Sequence, residues 1–371
     1  MLRIGVPKEI KNHEYRVGLT PDSVYDLTKA GFEVCVETMC AAQIGYLDEM
    51  YRKAGAVVLS SAKEVYDQAD LIIKVKEPQK AEYGLIRKNQ IIFTFLHLAA
   101  DKPQAKGLMD SGCLAVAYEM VSDKLGGLPL LKPMSEVAGR ISIQAGAHVL
   151  QKFNGGRGVL LGGVPGVKPG KVVIIGGGVV GSNALRMALG LEAEVTVLDL
   201  AMPTLELIDR SYYGRVRTLY ANCSNIEKEV CGADLVVGAV LIPGRAAPKL
   251  LTDNQISKMK PGSVIVDVAI DQGGCFETSR PTSHENPTYV EHGVVHYCVT
   301  NMPGAVPLTS TQALNNATLP FVHLLAKYGR EAIKSNQYLL AGLSVCDGQM
   351  TCPHAAQDLN LDYVAAKEAI E

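Results

Sequence analysis

The sequence has almost no excess charge of either sign. Its 371 residues include 36 lysines and arginines and 38 aspartates and glutamates, so the formal net charge is −2. A protein that binds nucleic acid or an anionic membrane through its overall charge carries a clear positive excess. The composition therefore gives no general electrostatic reason to expect either partner.

Long apolar runs are also missing. The most apolar window, residues 172–191, is interrupted by five glycines and three polar side chains. It falls short of the roughly 20 apolar residues that cross a bilayer. Lys8, Glu9 and Lys11 lie where a signal peptide has its apolar core. These features predict a soluble, cytoplasmic protein.

The cysteines lack the spacing of a metal site. There are nine of them, no two form a Cys-x-x-Cys pair, and none has zinc-finger spacing to a histidine. We therefore expect no metal centre and free thiols, as is usual for proteins of the reduced cytosol.

Short β-rich runs alternate with stretches of helical spacing along most of the chain. In the first part, the predicted strands are residues 2–6, 32–37, 56–59, 71–75, 90–95 and 113–118. A second series begins at Lys171, with predicted strands at residues 172–175, 194–198, 234–240 and 263–270. The last 40 or so residues show no strong strand pattern. Such alternation predicts mostly parallel sheets covered by helices on both faces.

Two long helical stretches separate the two series. They lie near residues 135–153 and 309–327. We therefore predict an α/β protein with two Rossmann-like domains, whose mostly parallel, doubly wound sheets are joined by long crossing helices. One predicted domain is discontinuous and consists of residues 1–129 and 308–371, and the other comprises residues 130–307.

The strongest local motif lies at the start of the second series. Residues 171–184 read Lys-Val-Val-Ile-Ile-Gly-Gly-Gly-Val-Val-Gly-Ser-Asn-Ala, which places Gly-x-Gly-x-x-Gly between an apolar strand and a helical stretch. This context is typical of a dinucleotide-binding loop. Gly176 permits the tight turn, Gly178 allows the backbone to approach a pyrophosphate, and Gly181 lets the helix pack closely on the strand.

An acidic residue follows at the end of the next predicted strand. Asp199 lies about 20 residues after the glycines, where a carboxylate binds the adenosine ribose hydroxyls and repels a 2′-phosphate. Residues 200–205 contain no lysine or arginine. The pattern therefore predicts binding of NAD rather than NADP.

Several polar residues in the first series occur where predicted strands end. Lys74 and Lys76 belong to the run Leu-Ile-Ile-Lys-Val-Lys and alternate with Val75, which predicts that both lie on one face of a strand. His97 follows another strand, and Arg16 follows a polar loop after the first one. Each of these alone is as consistent with an exposed strand end or a hydrogen-bonded core histidine. Together they favour a site for a carboxylate substrate, because ligands of open α/β sheets bind beyond the carboxyl ends of the strands.

The second series has polar residues in similar positions. Asp271 is predicted at a strand end before a glycine turn, and Asp267 in the middle of the same strand as a structural residue. Asn301 follows another apolar run, and the turn at residues 303–307 either faces a nicotinamide ring or is an ordinary loop.

Taken together, these motifs resemble the NAD-dependent L-alanine dehydrogenase family. The similar segments are Ile-Gly-Val-Pro-Lys-Glu at 4–9, Leu-Ile-Ile-Lys-Val-Lys-Glu-Pro at 71–78, Phe-Leu-His-Leu-Ala at 95–99, Pro-Met-Ser-Glu-Val-Ala-Gly-Arg at 133–140, the glycine motif, Val-Ala-Ile-Asp-Gln-Gly-Gly at 268–274, and Asn-Met-Pro at 301–303. The resemblance extends from the first residues to about Lys327. The NAD-binding component of proton-translocating transhydrogenase shares several of these motifs.

The resemblance implies reversible oxidative deamination of L-alanine to pyruvate and ammonium, with NAD+ as the hydride acceptor. It implies that Arg16 and Lys76 bind the substrate carboxylate and carbonyl, and that His97 and Asp271 are the acid–base pair. The implied NAD contacts, besides Gly176 and Gly181, are Ser135, Gly178, Val179, Asp199 and Asn301. It further implies a homohexamer with substrate chemistry on the discontinuous domain and NAD on the other.

Two other functions share these features. A transhydrogenase component passes hydride between two nicotinamides, normally with a membrane-spanning partner. A non-catalytic NAD-binding protein needs the glycine motif but has no use for His97.

Overall fold

A computed structural model describes residues 1–240 and 247–371. These residues form two compact units. One consists of Met1–Met134 and Val306–Glu371, and the other of Ser135–Ala305. The predicted α/β class, with two Rossmann-like units of mostly parallel sheet, is confirmed.

Strands and helices alternate along the described residues. The strands are β1 Ile4–Val6, β2 Val34–Glu37, β3 Val57–Leu59, β4 Leu71–Ile73, β5 Ile91–Thr94, β6 Leu114–Ala117, β7 Lys171–Ile175, β8 Glu194–Asp199, β9 Arg217–Tyr220, β10 Leu235–Gly238, β11 Val264–Asp267, β12 Thr288–Glu291, β13 Val294–Tyr297, β14 Leu343–Cys346 and β15 Gln349–Met350. The helices are α1 Pro21–Lys29, α2 Asp48–Lys53, α3 Ala62–Gln68, α4 Lys102–Ser111, α5 Lys132–Val149, α6 Val179–Gly190, α7 Met202–Tyr212, α8 Cys223–Cys231, α9 Asp253–Ile256, α10 Pro307–Tyr328, α11 Arg330–Ser335, α12 Gln337–Gly342, α13 Pro353–Leu359 and α14 Ala366–Ala369.

The sheet of the first unit has the order β15-β14-β6-β5-β4-β1-β2-β3. Strands β1 to β6 are parallel, and β14 pairs antiparallel with both β6 and β15. The expectation that the C-terminal residues lack a strand is therefore wrong. β14 is only four residues long and contains Ser344, so its local pattern is weak, and its pairing with β6 decides its conformation.

The sheet of the second unit has the order β12-β13-β11-β10-β7-β8-β9, and β12 alone among these strands runs antiparallel to its neighbour. The sequence pattern did not predict β9 or β12. Both lie at a sheet edge and are at least half polar, so neither has the continuous apolar run of a buried parallel strand.

In each unit the first strand lies inside the sheet. β1 is flanked by β2 and β4, and β7 is flanked by β8 and β10. In each unit the next two strands of the chain lie on one side of the first strand, and the strands after them lie on its other side. Ligands of such sheets bind at this switch point, beyond the carboxyl ends of the two adjacent strands. The loops after β1, β4 and β7 therefore lie where such sheets bind ligands.

Several strands end earlier than the sequence pattern predicts, and in two cases this changes where candidate residues lie. β4 ends at Ile73, so Lys74 and Lys76 lie beyond the strand and do not share one of its faces. β11 ends at Asp267, which is its last residue and not a mid-strand one, and Asp271 lies in the 3-10 helix Val268–Gln272 that follows. The apolar run continues past the strand because Ala269 and Ile270 of this 3-10 helix are buried.

Within the described parts of the chain, none of the helices has both the length and the apolar character needed to span a membrane.

Candidate active site

A fully buried lysine links the loops after β1 and β4. Lys74 Nζ lies 2.9 Å from Glu9 Oε2 and 3.0 Å from Glu82 Oε1. Burial raises the pKa of the Glu9 carboxyl, and the charge of Lys74 opposes that rise. These two ion pairs allow the charge of Lys74 to be buried. Through its contact with Glu9, Lys74 also joins the loop after β4 to the loop after β1 at the switch point.

The same glutamate fixes the backbone at Lys76. Glu9 Oε1 accepts the N–H groups of Val75 at 2.6 Å and of Lys76 at 3.2 Å. The Lys76 carbonyl accepts a hydrogen bond from the Thr94 hydroxyl at 2.9 Å. The Lys76 residue is buried, and its backbone is held from both sides.

Arg16 is buried against a carboxylate that precedes it by two residues. Its Nε donates to Glu14 Oε1 at 2.7 Å and its Nη2 donates to Glu14 Oε2 at 2.5 Å. The Arg16 side chain is 2% exposed and that of Glu14 is 0% exposed. Burial by itself raises the pKa of Glu14, but Arg16, with a further contribution from Lys76, lowers it to about 2. The structure thus pairs Arg16 with a buried carboxyl group that sequence reasoning did not identify.

His97 lies in the loop after β5, where its backbone is left-handed (φ 50°, ψ 42°). Its N–H donates to Glu119 Oε1 at 2.7 Å, and its Nδ1 lies 3.9 Å from the same oxygen. The ring stacks on Phe95 with 5.8 Å between centroids. The side chain is 48% exposed, so His97 is not a core histidine. An imidazole held in place and open to solvent is suited to proton transfer.

The glycine loop of the second unit has the geometry that the sequence motif requires. Gly176 has φ +104°, and Gly178 is the N-cap of α6. A Cβ on Gly181 would lie 1.7 Å from the Gly176 carbonyl oxygen, whereas a Cβ on Gly178 would meet no atom within 4 Å. Gly181 therefore permits the close packing of α6, and Gly178 leaves open space at the helix N-terminus. This space, next to exposed Val179, fits a pyrophosphate.

Asp199 is the last residue of β8 and joins that strand to the glycine loop. Its Oδ2 accepts the N–H of Gly177 at 2.6 Å, and its Oδ1 accepts the N–H of Ala201 at 2.7 Å. The carboxylate therefore lies directly beside the loop that would hold a dinucleotide.

Ser135 lies on α5, which packs tightly on α6. A Cβ on Gly139 would lie 2.2 Å from the Val180 carbonyl oxygen, so the two helices touch there. Ser135 precedes Gly139 by four residues and thus lies on the same face of α5. It is partly buried.

Asp271 and Asn301 are brought together by a hydrogen bond. The N–H of Asn301 donates to Asp271 Oδ1 at 3.1 Å, and Asn301 itself is left-handed with φ 55°. The Asn301 carbonyl oxygen lies 3.3 Å from His284 Nε2. The carboxylate of Asp271 is exposed.

Asp267 organises the 3-10 helix that carries Asp271. It is fully buried, and its carboxylate accepts the Ala269 N–H at 3.0 Å, the Cys275 N–H at 2.9 Å and the Ser279 hydroxyl at 2.6 Å. Burial raises its pKa, and these donors partly offset the rise. Asp267 is thus a structural residue, as the sequence suggested, although at the end of its strand.

No group of three or more histidine, cysteine, aspartate or glutamate residues suited to a metal ion occurs in residues 1–240 and 247–371.

Comparison with known proteins gives a consistent result over the whole chain. The model of the "Alanine dehydrogenase/PNT, N-terminal domain" family matches residues 5–138, and that of the corresponding C-terminal domain family matches residues 142–353. An alanine dehydrogenase of Halomonas elongata is 55% identical and one of Staphylococcus epidermidis is 52% identical, each over 100% of both chains.

Solved structures agree with these matches. An L-alanine dehydrogenase has a TM-score of 0.93 at 52% identity and covers 96% of this chain and 99% of its own. A transhydrogenase from Sinorhizobium meliloti has a TM-score of 0.81 at 24% identity, covers 95% of this chain and 99% of its own, and shares the fold. The two family models and the full-length relatives show that this chain belongs to the alanine dehydrogenase/PNT family.

Proposed function

We propose that this chain is an NAD-dependent alanine dehydrogenase, which interconverts L-alanine with pyruvate and ammonium. Full-length relatives with that name, at 52–55% identity, support the proposal. The transhydrogenase likeness, at 24% identity, supports only a common fold. The structural observation that supports the proposal most is a pair of buried cations in the two loops at one switch point: Arg16, ion-paired with Glu14, follows β1, and Lys76, whose backbone is held by Glu9, follows β4. A non-catalytic NAD-binding protein has no need of that arrangement.

In this proposal Arg16 and Lys76 bind the substrate carboxylate and carbonyl oxygen. A guanidinium offers parallel donors to a carboxylate, and an ammonium group offers a compact charge that polarises a carbonyl. Glu14 holds Arg16 in a fixed orientation before substrate arrives, so little conformational freedom is lost on binding.

His97 and Asp271 form the proposed acid–base pair. The alanine ammonium group must lose a proton so that its lone pair can assist the departure of the Cα hydrogen. His97 accepts this proton, because histidine is the side chain most often used as a general base. Water then adds to the substrate imine and ammonia leaves, and Asp271 orients the water or the substrate nitrogen.

The glycine loop and its neighbours fit NAD. Gly176, Gly178, Val179 and Gly181 would hold the pyrophosphate, and Asp199 the adenosine ribose. Ser135 and Asn301 would make further contacts. When bound, NAD+ supplies the acceptor for the hydride from the substrate Cα.

The family resemblance also supports a cytoplasmic homohexamer. We assign substrate chemistry, apart from the role of Asp271, to the discontinuous domain of residues 1–129 and 308–371. NAD binding is assigned to residues 130–307, which contain Asp271. Light scattering coupled to size exclusion should give six times the chain mass.

The direct test is NADH formation from NAD+ with L-alanine and then with other amino acids. The variant His97→Ala should lose turnover but keep NADH binding, measured by NADH fluorescence. His292→Ala, in the turn between β12 and β13, removes an exposed imidazole of the other unit and should remain active. Failure of the unmodified protein to oxidise L-alanine would refute the function, and full activity of His97→Ala would refute the general-base role.

A further inference from the structure

Lys249 holds the chain directly after Asp271. Its Nζ donates to the carbonyl oxygens of Gly273 at 2.8 Å, Gly274 at 2.9 Å and Phe276 at 3.1 Å. A lysine ammonium group has three donors, and these contacts use all of them. Nothing in the proposed function yet gives this residue a role.

The 3-10 helix of Asp271 is therefore held by opposite charges at its two ends. Asp267 accepts N–H groups at its start, and Lys249 donates to carbonyl oxygens after its end. Such an arrangement matches the polarity of a short helical turn, whose N–H groups point to its start and whose carbonyl groups point to its end. The backbone N–H of Ala247 adds a hydrogen bond to the Gln272 carbonyl at 3.0 Å.

The backbone that follows Asp271 is intrinsically flexible because it contains two glycines. Gly273 and Gly274 both have positive φ, at +89° and +73°. The Gly273 N–H donates to the Ile270 carbonyl at 3.0 Å and the Gly274 N–H to the Ala269 carbonyl at 3.1 Å. Because two consecutive glycines still have many accessible conformations, contacts at their carbonyl oxygens further limit the motion of the Asp271 carboxylate. A group that moves protons must be held within roughly 0.5 Å of its working position.

We propose that Lys249 is a positioning residue for Asp271. Its three carbonyl contacts fix the glycine turn, and the fixed turn keeps the Asp271 carboxylate on the Asn301 N–H. This inference rests on the proposed acid–base role of Asp271 in the proposed function.

Hydrogen exchange tests the positioning without any catalysis. In Lys249→Met, the amide of Asn301 should exchange about tenfold faster, because its acceptor is no longer held. Amides of β11 should keep their protection. Lys168→Met removes an exposed lysine of the same unit and should change neither. Unchanged protection of Asn301 in Lys249→Met would overturn the proposal.

Steady-state kinetics test whether Lys249 affects turnover through Asp271. With L-alanine, Lys249→Met should lower kcat by about tenfold while NADH affinity stays within about twofold, and Lys249→Arg should recover part of the loss. In an Asp271→Asn background, Lys249→Met should cause no further loss, since the residue acts through Asp271.

Two kinetic outcomes would also contradict this inference. One is an equal loss of kcat in the unmodified and Asp271→Asn backgrounds, and the other is a wild-type kcat in Lys249→Met. Failure of the unmodified protein to oxidise L-alanine would instead refute the proposed function, and the exchange experiment would still decide the positioning.

Discussion

The buried pair of Glu14 and Arg16 leads to a stability prediction with a defined pH range. Glu14→Gln keeps the size of the side chain but leaves the guanidinium of Arg16 without its charged acceptor. Burial favours the neutral form of Glu14, but Arg16 holds its pKa at about 2, below the ordinary 4.5. This difference corresponds to about 3 kcal/mol of folding free energy. Removal of one partner from a buried ion pair typically costs a similar amount, about 3–5 kcal/mol.

The sign of the pH dependence follows from the lower pKa in the folded state. As pH falls, the unfolded chain takes up the proton first, so acid favours unfolding. The stabilisation is complete above the ordinary pKa of 4.5 and is lost as pH falls towards about 2. A glutamine does not titrate. The free energy of unfolding of Glu14→Gln should thus lie about 3 kcal/mol below that of the unmodified protein at neutral pH, and the gap should narrow below about pH 5.

Urea unfolding followed by far-UV circular dichroism, at pH values from neutral down to the acid limit of the folded state, measures this gap. Glu206→Gln on α7 removes an exposed carboxylate and serves as the control, with an expected change within about 0.5 kcal/mol. A gap below about 1 kcal/mol at neutral pH would show that the pair does not stabilise the fold as described. A gap that stays constant with falling pH would show that Glu14 is not the titrating group.

Three further predictions concern the remaining candidate residues. Gly181→Ala should lower the melting temperature markedly, because its Cβ would lie 1.7 Å from a carbonyl oxygen, whereas Gly178→Ala should melt normally but bind NADH at least about tenfold more weakly. Asp199→Ala should reduce the ratio of kcat/KM for NAD+ over NADP+ by about tenfold, since the repulsion of a 2′-phosphate is lost; an unchanged ratio would contradict its ribose role. Glu119→Gln should lower kcat for L-alanine by about tenfold with little change in KM, because the carboxylate holds the His97 N–H; unchanged kcat would rule this out.

The sequence predicted most of the central strands and the edge strand β3, but it missed β9, β12 and β14. β7 and β10 are buried on both faces, so each is a continuous apolar run that stands out in the sequence. β9 and β12 are edge strands with polar residues, and β14 is held by pairing with β6, which lies more than 200 residues earlier in the chain. Local composition contains little information about such pairing.

The candidate lysine, arginine and histidine residues could be predicted from the sequence, but most of the carboxylates that pair with them could not. Lys76 and His97 stand out because a charged or titratable residue follows an apolar run. Glu9 lies 65 residues before Lys74, and Glu119 lies 22 residues after His97, so only the folded chain shows which acid serves which partner. Glu14 is the exception. It precedes Arg16 by only two residues, so their pairing could have been predicted from the sequence.

The two units share the same order of parallel strands but are proposed to bind different ligands, a substrate in the first unit and NAD in the second. The loop after the first strand of each unit accounts for this difference. In the second unit, Gly176–Gly178 alone separate β7 from α6, so the helix N-terminus lies at the strand end, where the proposed NAD would place its pyrophosphate. In the first unit, residues 7–20 separate β1 from α1, and this longer loop supplies Glu9, Glu14 and Arg16 to the switch point. The three-residue glycine turn contributes no side chains to a site. The long loop of the first unit contributes side chains, but it separates the N-terminus of α1 from the end of β1 by 14 residues. Shortening the first loop should therefore abolish substrate binding without creating a nucleotide site.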